Sequence, residues 1–239
     1  MNITVIALGV VVIVLLYFLF KMFYNQVVGI DKKYLKEGPT TIDSKKITNN
    51  RSTRYNYSTW VYVNTWNNNG FKPLITKGTS SSAPAPTYSG NTITPDGYDF
   101  MLWLNDTSPS LNCFIKKPSP STGNSTEIIN ITDNFPVQKW VYVIVSVDNQ
   151  IVDCYLDGKL VTSKKLTFQP EVNDRPITIG GGSNPDIYLV SPKREATPMD
   201  PQTAWNNYLR GNGMGKTNSN IKMAYLQDNV EKKYISIPV

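Results

Sequence analysis

The stretch KWVYVIVSVDNQIVDCYLDGKLV, residues 139–161, alternates apolar and polar positions. Val141, Val143, Val145 and Val147 fall on one side of it; Trp140, Tyr142, Ile144 and Ser146 fall on the other. A period of two is the signature of a β-strand, in which neighbouring side chains point to opposite faces. Asp148-Asn149 supplies one turn and Asp157-Gly158 the next, so three antiparallel strands are predicted here. Similar runs stand at STWVYVNTW (58–66), YDFMLWLND (98–106), SLNCFIKK (110–117) and TEIINIT (126–132). RPITIGGG (175–182) reads as a strand running into glycines, and residues 221–237 read as a closing hairpin about Asp228-Asn229. Short strands at this spacing, punctuated by turn residues, predict a two-sheet sandwich or a barrel. The tetrapeptide Trp-Val-Tyr-Val begins at both Trp60 and Trp140, and is read as two similar strands of one sandwich.

One helix is marked. In MDPQTAWNNYLRGNG, Asp200 suits the N-cap and Pro201 the first helical position. Trp205, Tyr208 and Leu209 share a face that is expected to lie on the sandwich, and Gly211 closes the end.

A different element occupies the N-terminus. Ile3 to Phe20 contains no charged residue, and about 18 helical residues span about 27 Å, close to the hydrocarbon thickness of a bilayer. Met1-Asn2 is no basic leader and no small-residue cleavage site follows, so a membrane anchor is expected, not a removed signal. Ile3, Val11, Leu16 and Phe20 would sit in lipid, with Lys21 at the interface. No Lys or Arg precedes the span, while Lys21, Lys32, Lys33 and Lys36 follow it. This asymmetry predicts a single-pass protein with its C-terminal domain on the cytosolic side. Lys32, Lys33 and Lys36 are then candidate contacts to an anionic leaflet. Sequons at Asn50, Asn56, Asn105, Asn124 and Asn130 would go unused there, and Cys113 and Cys154 would stay buried thiols. The expected division is an anchor over 1–24, a juxtamembrane linker over 25–40 and a β domain over 41–239.

Composition narrows the chemistry. The chain has no histidine and two cysteines, which removes His-based dyads, His-ligated metals and cysteine zinc clusters. Net charge is +6, without an arginine-rich run, so lipid is favoured over nucleic acid as the basic partner. RGNGMGKT (210–217) lacks the first glycine of a phosphate loop, since Arg210 holds that position, and it follows a helix. Asp153 and Asp157 would lie about 13 Å apart on one strand, too far for a glycosidase pair. No catalytic residue and no resident cofactor are expected; calcium held by Asp96, Asp99, Asp106 or Asp186 is the one metal the loops could offer. Trp103, Tyr142 and Tyr155 are candidate ligand or partner contacts if exposed, and core residues if not. The polar loops 78–97 and 117–126 are further candidates for glycan recognition.

WVYVNTWNNNGFKPLITKG, FPVQKWVYVIVSVDNQIVDCYLDGKLV, ITIGGG and MDPQTAWNNYLRGNG stand in an order that resembles laminin-G-like domains of the concanavalin A-like lectin/glucanase superfamily. The resemblance covers residues 40 to 239 and implies a jelly-roll sandwich of two antiparallel sheets. Members of such a family bind sugars, calcium or proteins, and the acidic E-x-D-x-E strand of its glucanases is missing here. An anchor fused to such a domain, in an Asn- and Lys-rich chain, resembles virion membrane proteins of large DNA viruses. The expectation is therefore a mainly β chain with one short helix and one transmembrane helix. It would act without catalysis as a minor capsid or virion membrane protein touching neighbouring capsid proteins, or alternatively as a tethered lectin.

Overall fold

The computed structural model describes residues 3–24, 27–68, 70, 72–79, 88–89, 92–93, 97–118, 126–182, 184–213, 220–227 and 230–238. Helix α1 (Ile3–Tyr24) comes first. Strands β1 (Val27–Gly29), β2 (Lys32–Tyr34), β3 (Thr40–Ile42), β4 (Arg54–Val63), β5 (Lys72–Gly78), β6 (Tyr88–Ser89), β7 (Thr92–Ile93), β8 (Tyr98–Leu104) and β9 (Leu111–Lys116) follow. After them come β10 (Thr126–Thr132), β11 (Trp140–Asp148), β12 (Ile151–Leu156), β13 (Lys159–Lys165), β14 (Ile177–Ile179) and β15 (Ile187–Glu195). Helix α2 (Pro201–Leu209) and strands β16 (Asn220–Gln227) and β17 (Val230–Pro238) end the chain.

Two antiparallel sheets carry the fold. One runs β1-β15-β4-β11-β12-β13, with β2 also on β15; the other runs β10-β9-β8-β5-β14-β3. The alternation of residues 139–161 explains their packing. Val141, Val143, Val145 and Val147 meet Leu74, Phe100, Leu102, Leu111, Cys113 and Ile115 of the other sheet in one buried cluster. Burying each such side chain is worth roughly 1.5–3 kcal/mol, so this cluster is the main source of stability. The opposite face of β11 is covered as well. Tyr142 and Ile144 join Trp60, Tyr155, Val190, Met199 and Ala204 beneath α2. Arg210–Val239 forms a separate compact unit, in which β16 and β17 pair as a hairpin.

Helix α2 starts as its sequence requires: the Thr203 backbone N–H donates to Asp200 Oδ1 at 2.9 Å. Its buried face differs from the expected one. Ala204 and Tyr208 pack inward, Trp205 lies at the margin and Leu209 is 63% exposed. The cause is the Asp157-Gly158 turn, which docks against the helix; a Cβ on Gly158 would stand 3.0 Å from Trp205 and Tyr208. With φ of 76° as well, this position requires glycine.

Within the segment 25–40, expected as a linker, β1 and β2 belong to the sheet. Val27 pairs with Glu195 and Gly29 with Lys193 through β1, and Tyr34 pairs with Tyr188 through β2. Gly29 permits this, because a Cβ there would collide with the Pro192 carbonyl and Lys193. Three-residue strands are too short to show a period, so the sequence pattern hides them. Only two residues separate α1 from β1.

Among the described residues no helix is long and apolar enough to cross a membrane. The backbone of α1 is helical over 22 residues, and its described side chains, 8–19, are uncharged and exposed on every side. Val11 and Leu16 are among them; the side chains of Ile3, Phe20 and Lys21 lie outside the described residues.

Candidate functional site

A cleft of about 340 Å³ opens on the outer face of the six-stranded sheet, lined by Trp103, Asn105, Ser110, Asn112, Ile128, Asn130 and Asp133. Strand register builds it. Trp103 stands opposite Asn112, and Asn112 opposite Asn130, so three strands place these side chains in one row on one face. A bulge between Asn130 and Thr132 then ends the regular pairing beside Asp133. Trp103 and Ile128 are its apolar lining, and behind them Trp103 packs in a buried cluster with Met101 and Phe114.

The polar rim is prearranged. Asn130 Nδ2 donates to Asn112 Oδ1 at 3.1 Å and to Asp133 Oδ1 at 2.8 Å. The turn between β8 and β9 is fixed by Asn105 N–H donating to the Ser110 carbonyl at 2.9 Å and by paired Ser108 and Ser110 hydroxyls at 2.9 Å. Trp103 Nε1 is buried and makes no hydrogen bond among the described residues. An orphaned buried donor costs about 1–3 kcal/mol. Both amide hydrogens of Asn130 are engaged by these two bonds. The cleft thus joins an indole, amides, a hydroxyl and a carboxylate, with both donors and acceptors.

Trp103 is the one aromatic candidate that the structure brings to this cleft, at 1% exposure. Tyr142 (4%) and Tyr155 (1%) are core residues under α2, so the three do not form an exposed stacking face. The covering helix is the reason, because it buries the face that alternation alone leaves open. Asn105, Asn112, Asn130 and Asp133 were not singled out as ligand contacts by sequence pattern. Asn112 and Asn130 carry a signal, an Asn at mid-strand, where that residue is disfavoured; Asn105 and Asp133 follow the ends of β8 and β10 and carry none. Loops 78–97 and 117–126 lie largely outside the described residues, as does Asn124. Asn50 and Asn56 are buried, and each Nδ2 donates inside the fold, to Asp174 and Arg175 or to Glu195 and Thr197.

Two of the three candidate lysines are ion-paired. Lys36 Nζ pairs with Asp186 at 3.2 Å and Lys33 with Glu37 at 4.0 Å; Lys32 is exposed. Asp186 also accepts from Thr65 at 2.7 Å, Asn64 at 3.0 Å and Tyr34 at 3.0 Å. These bonds, Thr65's foremost, hold its carboxyl down to about 2. The candidate calcium aspartates are dispersed: Asp99 faces Arg175 and Asn173, Asp186 faces this hub, and Asp96 lies outside the described residues. Among the described residues no three acidic or cysteine side chains gather as a metal group.

At the other end of the sandwich two buried cations close the core. Arg194 donates to the Thr48 and Asn49 carbonyls at 2.8 and 3.0 Å, and Lys77 to the Asn50 carbonyl at 2.6 Å. Burial first, then the Arg194 charge, lowers Lys77 from 10.5 to about 8.

Comparison with known proteins agrees with this architecture. The family profile described as the concanavalin A-like lectin/glucanases superfamily, laminin G type, matches residues 37–190. No curated protein sequence matches the chain. Among solved structures, the binding domain of Paraclostridial Mosquitocidal Protein 1 superposes with a TM-score of 0.53 at 14% identity, over 77% of this chain and 45% of that one. The ligand binding domain of Botulinum neurotoxin serotype D, in complex with N-acetylneuraminic acid, gives 0.53 at 10% identity, over 75% and 42%. The serotype G binding domain gives 0.51 at 11%, over 82% and 46%. The chain thus spans less than half the length of these structures, and at such identities the likeness is one of fold. With two antiparallel sheets in place and most of the sandwich matched by the profile, the chain belongs to the concanavalin A-like lectin/glucanases superfamily.

Proposed function

We propose that this chain is a non-catalytic binding module, held at a membrane by α1, whose cleft takes a saccharide. The cleft carries the reading. A sugar has hydroxyls that both donate and accept and a C–H face that packs on apolar surface. The Asn112–Asn130–Asp133 rim offers the complement of the first, and half-buried Ile128, backed by Trp103, that of the second. The volume falls in the range of small-molecule sites. The neurotoxin D relative, crystallised with N-acetylneuraminic acid, lends support at the level of fold. The test is a glycan array probed with the full chain in detergent, with and without calcium. Binding is expected, and the double variant Asn112→Ala/Asp133→Ala is expected to lose it at least tenfold. An array on which the folded chain binds nothing refutes the reading.

A second reading is favoured by the lysines that follow Phe20. In it the body stands on the cytosolic side and docks on neighbouring structural proteins, as a minor capsid or virion membrane protein does. The readings differ in topology. Protease protection of the body in sealed membranes, with co-fractionation with virions, supports the second; digestion from outside the cell supports the saccharide module.

A further inference from the structure

We infer that the cleft and the membrane tether occupy opposite ends of the sandwich, so that the module faces its ligand across a gap and not in the bilayer that holds it. This rests on the reading of α1 as an anchor, and on register for the rest. Chain direction fixes the tether end. Two residues after α1, Val27 pairs with Glu195, which pairs with Asn56; Arg54 pairs with Asp148, and Ile151 with Lys165. These residues therefore share one end. From Tyr24 to Val27 is three Cα steps, about 10–11 Å at full extension, too short to carry the body over.

The cleft belongs to the far end. Lys72 Nζ donates to the Asn105 and Asp106 carbonyls, Phe135 N–H to the Pro109 carbonyl and Gln138 N–H to the Val63 carbonyl. Val63 is the far terminus of β4, seven residues beyond Asn56, or about 23 Å along the strand. The sheet that bears the cleft runs the same way: Lys77, at the tether end, reaches Asn50, while Leu104 and Leu111 lead into the cleft's turn.

The surfaces match this polarity. The tether end presents exposed Val27 and Ile151 with exposed Lys45, Lys46, Arg51 and Lys165, a combination suited to an anionic bilayer. Lys32, Lys33 and Lys36, nominated by their nearness to α1 in sequence, lie on or beyond β2, which has climbed toward the cleft end. The partner that fits is a saccharide on a facing surface or in solution, and a headgroup of the chain's own bilayer is out of reach.

The test uses the full chain reconstituted in vesicles of phosphatidylcholine and phosphatidylserine bearing headgroup nitroxides. A fluorophore is attached through Ile151→Cys, at the tether end, or through Thr107→Cys, beside the cleft; both sites are exposed. The nitroxide is expected to quench the Ile151→Cys label at least threefold more strongly than the Thr107→Cys label. Equal quenching, or stronger quenching at Thr107→Cys, overturns the inference and leaves the anchor standing. Failure of the chain to float with the vesicles overturns the anchor itself, and the inference with it.

Discussion

Lys77 is a residue whose charge the fold opposes. Its side chain is buried at the tether end, and its pKa falls from 10.5 to about 8 through burial and the Arg194 charge. The sign follows from which state holds the proton. Between pH 8 and 10.5 the unfolded chain keeps a proton that the native chain releases, so stability rises with pH through this window. The penalty is fully present below 8 and gone above 10.5. At about 1.4 kcal/mol per unit, its full size is roughly 3 kcal/mol, of which about 2 kcal/mol is recovered between about pH 7 and about pH 9.5. Lys77→Met removes the titration together with the hydrogen bond to Asn50, whose orphaned carbonyl costs about 1–3 kcal/mol at every pH. The pH dependence is therefore the diagnostic quantity, more than the stability at one pH. Urea unfolding of the full chain in a nonionic detergent measures it. The native chain should gain about 2 kcal/mol more than the variant over this interval. That is a difference of about 1 M in midpoint for a slope of about 2 kcal/mol/M. Cys113, buried and held well above 9.0 by its hydrogen bond with Cys154, also titrates in the unfolded chain but cancels between the two proteins. Tyr55 and Tyr57, raised chiefly by burial, subtract stability only above 10. Equal pH slopes for native chain and variant would refute the account of Lys77.

Asp186→Ala strips four partners from the hub that fixes Tyr34 and Lys36, and should cost about 3 kcal/mol, read as a fall of several degrees in Tm; an unchanged Tm rules the hub out as a source of stability. Gly158→Ala should cost about 1–2 kcal/mol in the same assay, from positive φ and the contact with Trp205 and Tyr208; a neutral result would mean that α2 does not rest on this turn. Cys113 and Cys154 are both buried free thiols. Maleimide should leave both untouched in the folded chain and label both in urea, and fast labelling of the native chain would contradict their burial.

The sandwich was legible because most of its strands are longer than five residues and keep one face apolar, as β4, β8 and β11 do. The valines of β11 fall on the core face that alternation assigns them. What pairs with what was not legible, and the cleft depends on it. Trp103, Asn112 and Asn130 become a row only once β8, β9 and β10 are aligned, and nothing local in any strand announces the other two. The lysines show the same limit in reverse. Lys32 and Lys33 are near α1 in sequence, yet β2 sets them level with Trp60 and Val61 of β4, while Lys165 comes level with Ile151 by strand pairing alone. Helix α2 was legible in extent and cap but not in facing, because the Gly158 turn chose the side.

The pairing of β1 with β15 has a mechanical consequence. On the proposed reading, a ligand pulling at the cleft end would load the chain along the strand axis, with the opposing pull entering at Val27. Tension then acts parallel to β1, and its rungs to β15 must slide together instead of parting one after another. A short strand loaded in shear resists far more force than the same strand peeled from one end. On that reading the attachment would stay whole when the ligand and the membrane are drawn apart.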